Sequence, residues 1–202
     1  MKKIVAILAL MICFSAGLFA SEYKFVNFEV GPMTGFPFYG ANELYDEVQA
    51  VRDDEGVRLV FGATGDMRFD LMPEFSLYLG VDILSDFVWN KSDYSNHLDY
   101  TFFFGGKVYP TNTGFSVNIA YGSGSRSDYT GKKGANNSGV TAPQKPSYAA
   151  YWGNGFKLGF EYDFSRNSNF KHMPVVGVYW KNMPRGKNLR DSTLSFAAKL
   201  GF

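Results

Sequence analysis

The sequence predicts an all-β fold, in which eight antiparallel strands close into an up-and-down transmembrane β-barrel. The first observation is strict alternation from Val57 to Leu71, where every odd position is apolar or small and most even positions are polar or charged. A period of two describes a strand with one apolar and one charged face. The stretch is longer than the usual soluble strand and suits a tilted crossing of a bilayer. The other two observations are an export signal and a high aromatic content, 18% of the chain.

The N terminus has the pattern of a secretory signal peptide. Lys2 and Lys3 precede an uncharged stretch from Ile4 to Phe19, and Ala20 offers a cleavage point. We therefore expect residues 1–20 to be removed and residues 21–202 to form a single outer-membrane barrel domain.

Removal of the signal peptide leaves a nearly neutral chain without a thiol. The 20 basic residues lose Lys2 and Lys3 and then nearly balance the 19 acidic ones, which gives no reason to expect a nucleic-acid partner. The single cysteine, Cys13, leaves with the signal peptide, so no disulfide is expected. A lipoprotein signal at Cys13 is disfavoured because bulky Ile12 stands where a small residue is needed.

Four strands are expected in the first half of the chain, each bounded by turn or loop residues. The first gives way to glycines and prolines, the second to a turn at Pro73, the third to a polar loop from Asn90 to His97, and the fourth to a turn at Pro110. The four strands are Tyr23 to Val30, Val57 to Leu71, Phe75 to Trp89, and Leu98 to Tyr109.

The second half of the chain continues the pattern with four more strands. The polar stretch from Ser123 to Ser147, rich in glycine, serine and asparagine, follows the fifth strand and reads as a loop. Outer-membrane barrels have long external loops and short periplasmic turns, so the alternation of long and short connections predicts a bacterial outer-membrane protein with both termini in the periplasm. The four strands are Phe115 to Gly122, Ala150 to Asp163, Pro174 to Lys181, and Ser192 to Phe202.

A secreted β-sandwich is the alternative fold, because its strands also alternate. A β-sandwich rarely needs strands of this length. A helical membrane protein is not expected either, because no run after residue 20 is long and apolar enough for a membrane helix. Aromatic residues on the apolar face also stand near the predicted strand ends, as in an interfacial girdle. They are Trp89, Tyr100, Tyr121, Trp152, Tyr162 and Trp180.

The charged faces of the strands predict a polar lumen. A lysine or arginine facing lipid at mid-membrane would cost roughly 2 to 4 kcal/mol, whereas charges facing inward can pair. Two hypotheses remain open: ion pairs close the bore, or some of the charges line a narrow passage. Glu29 shares this face, and larger side chains such as Tyr78, Phe103 and Tyr179 could fill the bore. The lumen-lining candidates are Arg58, Asp66, Arg68, Asp70, Asp82, Asp99, Lys107, Lys157, Glu161 and Lys199.

The C-terminal strand, ending LSFAAKLGF, carries a family resemblance. With the eight-strand pattern, it resembles the small eight-stranded outer-membrane proteins OmpW, OmpX and the OmpA transmembrane domain, and we favour the OmpW-like group. The resemblance implies that Phe202, with Leu200 and Phe196 behind it, is the signal read by the barrel assembly machinery. It also implies passage of small hydrophobic compounds.

Passage of small, possibly hydrophobic solutes through a narrow lumen is therefore the expected function. The alternative is a surface adhesin or structural outer-membrane protein with a plugged barrel and binding loops, such as the locally basic loop with Arg126, Lys132, Lys133 and Lys145. The expected partners are outer-membrane lipids, the barrel assembly machinery and a small solute.

A lipid-modifying barrel enzyme is a minor alternative. The two histidines, His97 and His172, fall at opposite predicted ends, and no residue cluster has metal-ligand spacing. A triad could be drawn from His97, Ser95 and an aspartate, Asp93 or Asp99, but these residue types are ordinary in loops. We therefore expect no enzymatic activity, no metal and no cofactor.

Overall fold

Eight antiparallel strands pair in chain order, and the last pairs with the first, so that the sheet closes into a barrel. The computed structural model describes residues 25–40, 56–90, 93–110, 113–132, 147–167, 174–186 and 189–202. A closed sheet leaves no unpaired edge, and the topology confirms the predicted up-and-down fold. The strands are β1 (Val26–Phe38), β2 (Val57–Met72), β3 (Phe75–Trp89), β4 (Asp93–Val108), β5 (Phe115–Lys132), β6 (Ser147–Asp163), β7 (Pro174–Pro184) and β8 (Arg190–Gly201).

Two ends of the barrel can be distinguished by their connections. We call the turn end the one with the tight turn at Pro73 and Glu74, the short 3-10 helix Phe164–Asn167 and the C-terminal Phe202. The opposite end is the loop end. Among the described residues, no helix is long and apolar enough to cross a membrane.

The outer wall of the barrel is apolar and the interior is charged. Phe61, Phe102 and Ile119 are each more than half exposed, whereas their strand neighbours on the inner face are buried polar and charged side chains. Because a strand sends successive side chains to opposite faces, the alternation in the sequence becomes an outside and an inside. This inside-out distribution is stable only where the outer solvent is itself apolar.

The predicted boundaries hold best where alternation is strict. β2 and β3 match the prediction to within a residue, whereas β1, β4, β5, β6 and β7 are each at least three residues longer than predicted, and β8 begins two residues earlier. The predicted loop from Asn90 to His97 is wrong from Asp93 onward, and the predicted loop from Ser123 to Ser147 is wrong as far as Lys132. Both segments are polar on both faces, so the alternation that identifies a strand in lipid is missing from them.

β1 continues through Gly31 and Pro32, two residue types that usually interrupt a strand. Gly31 pairs with Thr64, and Pro32 with Ala63, in the ladder with β2. A Cβ on Gly31 would lie 1.9 Å from the carbonyl oxygen of Ala198, so only glycine permits the approach of β8 there. The residue is therefore required for the seam between the first and last strands.

Several expectations fall on residues outside the described part of the chain. These are the signal peptide with Cys13, the loop lysines Lys133 and Lys145, and His172.

Candidate functional site: the charged barrel interior

The interior carries a cluster of two lysines and three carboxylates towards the turn end, which we call the lower cluster. Lys107 Nζ lies 3.1 Å from Glu29, 3.3 Å from Asp66 and 2.9 Å from Glu161. Lys199 Nζ lies 2.9, 2.5 and 2.8 Å from the same three residues. All five side chains are buried. Each ammonium is thus held by three carboxylates, which offsets the cost of removing these charges from water.

Arg68 extends the lower cluster to the turn end. Its guanidinium contacts Glu29, lies 2.9 Å from Asp70 and lies 3.4 Å from Asp163 on the opposite wall. Tyr109 accepts a further hydrogen bond from Arg68 at 3.2 Å. A planar guanidinium with several fixed donors can hold carboxylates from different strands at the same time.

An ion pair between β6 and β3 crosses the middle of the barrel. Lys157 Nζ lies 2.9 Å from Asp82, which also accepts a hydrogen bond of 2.7 Å from the Thr64 hydroxyl. The ammonium lies 4.6 Å from the ring centroid of Phe103 and 4.5 Å from that of Tyr179. The interior at this level is therefore filled by one ion pair with aromatic rings packed around it.

The upper cluster lies towards the loop end. Asp99 contacts Arg185 and lies 2.6 Å from Lys181 Nζ. Asp191 lies 2.6 Å from Arg185 and also contacts Arg126. All five side chains are buried. The two aspartates thus share one arginine, and each is also paired with a second cation.

The upper cluster reaches the mouth of the barrel through Asp128, which lies 3.0 Å from Arg126 and 2.6 Å from His97 Nδ1. Next to it, Arg58 pairs with Asp86 at 2.8 Å. Its side chain is 40% exposed, so this pair forms the rim of the interior.

Ion pairs cross the lumen at every level. In a closed ring of eight strands, no two strands are more than four positions apart, and the Arg68–Asp163 pair joins β2 to β6 at that maximum. Pairs three strands apart link β1 to β4, β3 to β6, β4 to β7 and β5 to β8. An eight-stranded barrel has an interior just wide enough for its own side chains, and these pairs bridge it.

The ten lumen-lining candidates all lie on the inner face. Nine are buried, and Arg58 is the partly exposed one at the rim. Among the larger side chains, Tyr78, Leu84, Phe103 and Tyr179 are buried, while Val60 and Tyr151 are partly buried.

Sequence reasoning missed most of the upper cluster. Arg126, Asp128, Arg185 and Asp191 fall in segments that the sequence presents as loops or strand ends. A usable signal was present in β5, because Arg126 and Asp128 continue the inward phase of Ser116 and Asn118. Arg126 is fully buried and ion-paired, so its assignment to a basic surface loop is wrong.

The triad considered from the sequence does not form as drawn. His97 bonds to Asp128, which was not among the aspartates considered, and Asp99 is paired with Lys181 and Arg185. In the described part of the chain, no group of three or more histidine, cysteine or acidic side chains could hold a metal ion.

An apolar outer wall, a closed antiparallel sheet and a paired charged interior together define the class of transmembrane β-barrels. No known protein family and no curated protein matches this chain. Solved structures match its fold, and small outer-membrane barrels are among them.

One match is Ail, the attachment invasion locus protein of Yersinia pestis, solved in complex with the heparin analogue sucrose octasulfate. Its TM-score is 0.58 and its sequence identity 10%, and the match covers 88% of this chain and 97% of that chain. A second structure of Ail also has a TM-score of 0.58, with 9% identity and the same coverage. The N-terminal β-barrel domain of Pseudomonas aeruginosa OprF covers 87% of this chain and 97% of its own, with 9% identity and a TM-score of 0.45. The two Ail matches and the closed sheet of eight strands show that the chain has the fold of small eight-stranded outer-membrane β-barrels.

Proposed function

We propose that this protein is an outer-membrane barrel closed by its own ion pairs, which acts as a structural and surface-binding protein rather than as a pore. The observation that carries the proposal is the set of cross-lumen pairs at the turn end, the middle and the loop end. Opening a bore would require separating buried charges at all three levels, and a buried charge that loses its partner costs about 3 to 5 kcal/mol.

The loop end supports a role at the cell surface. β4, β5 and β6 contain 16, 18 and 17 residues, although about 9 to 11 residues suffice to cross a bilayer as a tilted strand. Their excess length forms a raised sheet at the loop end, with Tyr129 and Tyr148 packed against each other at a ring distance of 5.0 Å. Tyr148 is 57% exposed. Exposed aromatic residues are frequent anchors of binding surfaces.

The buried upper cluster braces this raised sheet from inside. His97 of β4 and Arg126 of β5 both contact Asp128, and Arg126 connects β5 to Asp191 of β8. A rigid scaffold favours binding because less conformational entropy is lost when a partner is bound. We place both termini in the periplasm, because the long connections lie at the opposite end of the barrel.

Passage of small solutes, the function expected from the sequence, is the competing proposal, and conductance separates the two. Protein purified from outer membranes is reconstituted in planar bilayers and in liposomes, with a known porin as the positive control. We expect no discrete channel openings and no liposome swelling in small sugars, because the interior pairs bridge the lumen.

A matched double variant makes the measurement sharper. Asp82→Ala with Lys157→Ala removes the middle pair as a neutral unit and leaves the clusters above and below in place. We expect this variant to remain closed as well. Steady openings or sugar uptake by the unmodified protein would overturn the closed barrel and favour passage.

A further inference from the structure

The side chain of Arg166 crosses the mouth of the barrel at the turn end. Arg166 belongs to the 3-10 helix Phe164–Asn167, which connects β6 to β7. Its Nη1 donates a hydrogen bond of 2.7 Å to the carbonyl oxygen of Pro73, in the turn between β2 and β3. In a closed ring of eight strands, the β2–β3 turn and the β6–β7 connection lie on opposite sides. The hydrogen bond therefore joins opposite walls of the mouth.

Tyr109 lies on the lumen side of the Arg166 guanidinium. It directly follows β4, so it enters the mouth from the connection that lies midway between the other two. The guanidinium carbon of Arg166 lies 3.4 Å from the centroid of the Tyr109 ring, as in a stacked pair. From within the lumen, Arg68 donates a hydrogen bond of 3.2 Å to the Tyr109 hydroxyl. Tyr109 is fully buried, although it stands next to the end of the barrel.

Backbone hydrogen bonds fix the three connections that meet at this mouth. The amide of Tyr109 donates to the carbonyl of Glu74 at 2.8 Å, and the amide of Asp163 donates to the carbonyl of Gly114 at 2.8 Å. Gly114 has a φ of 77°, which favours glycine, and a Cβ there would overlap the carbonyl oxygen of Asp163. The stack of Arg166 on Tyr109 is therefore built on a fixed backbone frame.

The interior behind Tyr109 has more carboxylates than cations. Arg166 adds a cation at the mouth, where its Nε lies 3.9 Å from Asp163. A positive group is favoured there, because opposite charges attract more strongly away from bulk water. The carboxylates paired in the lower cluster and with Arg68 are Glu29, Asp66, Asp70, Glu161 and Asp163, and their cations are Lys107, Lys199 and Arg68.

We propose that Arg166, stacked on Tyr109, is a latch that closes the turn end and shields the lower cluster from water and from dissolved cations. The Arg166 side chain is only 14% exposed, whereas an arginine in a short surface connection is usually well exposed. The inference rests on the closed lumen of the proposed function and adds a barrier of a different kind. Removal of the latch would leave the pairs of the lower cluster in place, so the two barriers can be tested separately.

A cysteine behind the latch would report access to the lower cluster. Ser116 is fully buried on the inner face of β5 and pairs with Glu161 of β6. Within the described residues its hydroxyl has no hydrogen-bond partner, so Ser116→Cys is a mild substitution. Cys13, the single cysteine, precedes the described chain, and protein without the substitution gives the background.

The reaction is followed in detergent micelles, which leave both ends of the barrel open to reagents. Two methanethiosulfonates of similar size are compared, one with a trimethylammonium group and one with a sulfonate group. We expect Ser116→Cys to react slowly with both. Addition of Arg166→Ala should raise the rate at least tenfold with the trimethylammonium reagent and less with the sulfonate reagent, because the opened mouth is acidic. Arg166→Lys keeps the charge without the planar stack and should give an intermediate rate.

Ser95→Cys is the matched control at the loop end. Ser95 is also a fully buried serine on the inner face, the third residue of β4, and its hydroxyl likewise lacks a partner among the described residues. Its reaction rate should not depend on Arg166. Heat-modifiable migration on gels shows that each variant is a folded barrel. Equal acceleration at positions 95 and 116 would indicate general loosening of the barrel and would overturn the latch.

The measurement separates failure of the latch from failure of the closed lumen. If position 116 reacts equally fast with and without Arg166, the latch is overturned, while the absence of conductance would still support closure by the interior pairs. Steady channel openings of the unmodified protein would instead overturn the closed lumen, and with it the role of the latch as a second barrier.

Discussion

At the scale of single residues, the interior is organised around cations that each hold several carboxylates. Lys107 and Lys199 share Glu29, Asp66 and Glu161, and Arg185 joins Asp99 to Asp191. A buried ion pair adds little stability compared with an apolar pair of the same shape, but loss of one partner is strongly destabilising. The interior is therefore sensitive to single substitutions.

Lys199→Met tests this sensitivity. The substitution shortens the side chain by one atom and removes the charge, so three carboxylates keep Lys107 as their main counter-charge. We expect the free energy of unfolding to fall by about 3 to 5 kcal/mol, measured by urea unfolding in lipid vesicles with tryptophan fluorescence.

The exposed Arg190 provides a matched control, and Arg190→Met should change the unfolding free energy by less than about 0.5 kcal/mol. Adding Glu161→Gln to Lys199→Met should recover part of the loss. If Lys199→Met changes stability no more than Arg190→Met, the lower cluster has no structural role.

Residues of the interior differ in how far the sequence reveals them. Asp66 and Arg68 are predictable because apolar neighbours on both sides define their face. Arg185 and Asp191 flank the connection between β7 and β8, where no alternation exists, and only the closure of the barrel brings Arg126 to Asp191. Such long-range pairing depends on the tertiary fold and has no local signal.

At the scale of elements, the seam between β1 and β8 depends on close backbone approach. A Cβ added at Gly31 would overlap the backbone of Ala198, whereas a Cβ added at Gly65 on β2 would have its nearest neighbour, the carbonyl oxygen of Glu29, 3.7 Å away. The two glycines are adjacent across the β1–β2 ladder, since Val30 pairs with Gly65 and Gly31 with Thr64. They provide a matched comparison.

Gly31→Ala should weaken the barrel, because the added Cβ would overlap the Ala198 carbonyl and force the strands apart. We expect loss of the compact, faster-migrating form in unheated gel samples, or its melting at a temperature at least several degrees lower. Gly65→Ala should leave both unchanged. Equal behaviour of the two variants would contradict a tight seam at Gly31.

Element boundaries are predictable within the apolar band and much less so above it. β3 was predicted to the residue because its outer face, apart from Ser85, stays apolar from Phe75 to Trp89. β5 continues for ten residues past the predicted end at Gly122, through serines, charges and tyrosines, because neighbouring strands supply hydrogen bonds that the sequence pattern does not record. The upper half of β1 was not predicted because Gly31 and Pro32 usually interrupt a strand, whereas the ladders with β2 and β8 continue past them.

At the scale of the whole molecule, the C-terminal residue is a candidate recognition signal as well as part of the wall. The amide of Phe202 donates to the carbonyl of Phe28 at 2.8 Å, and its side chain is 57% exposed. Leu200 and Phe196 are exposed on the same face. A role in recognition by the barrel assembly machinery, implied by the family resemblance, remains a proposal.

Phe202→Ser separates recognition from stability. We expect a severalfold lower amount of assembled protein in the outer membrane of cells, with unchanged refolding of the purified chain into detergent micelles. Phe164→Ser is the control, because Phe164 is also an exposed aromatic at the turn end. Equal assembly of the two variants in cells would contradict a signal at Phe202.

The charged interior also bears on the order of events during assembly. Lys199 and Asp66 are 133 residues apart in the chain, yet lie 2.5 Å apart after β8 has met β1. A half-formed sheet that entered the bilayer would turn these lysines and carboxylates towards acyl chains, at a cost of roughly 2 to 4 kcal/mol for each lysine or arginine near the midplane. The charged interior thus disfavours insertion of incomplete sheets and couples membrane entry to barrel closure. Only a chain whose strands have paired in the correct order can bring these ion pairs together and enter the bilayer without this cost.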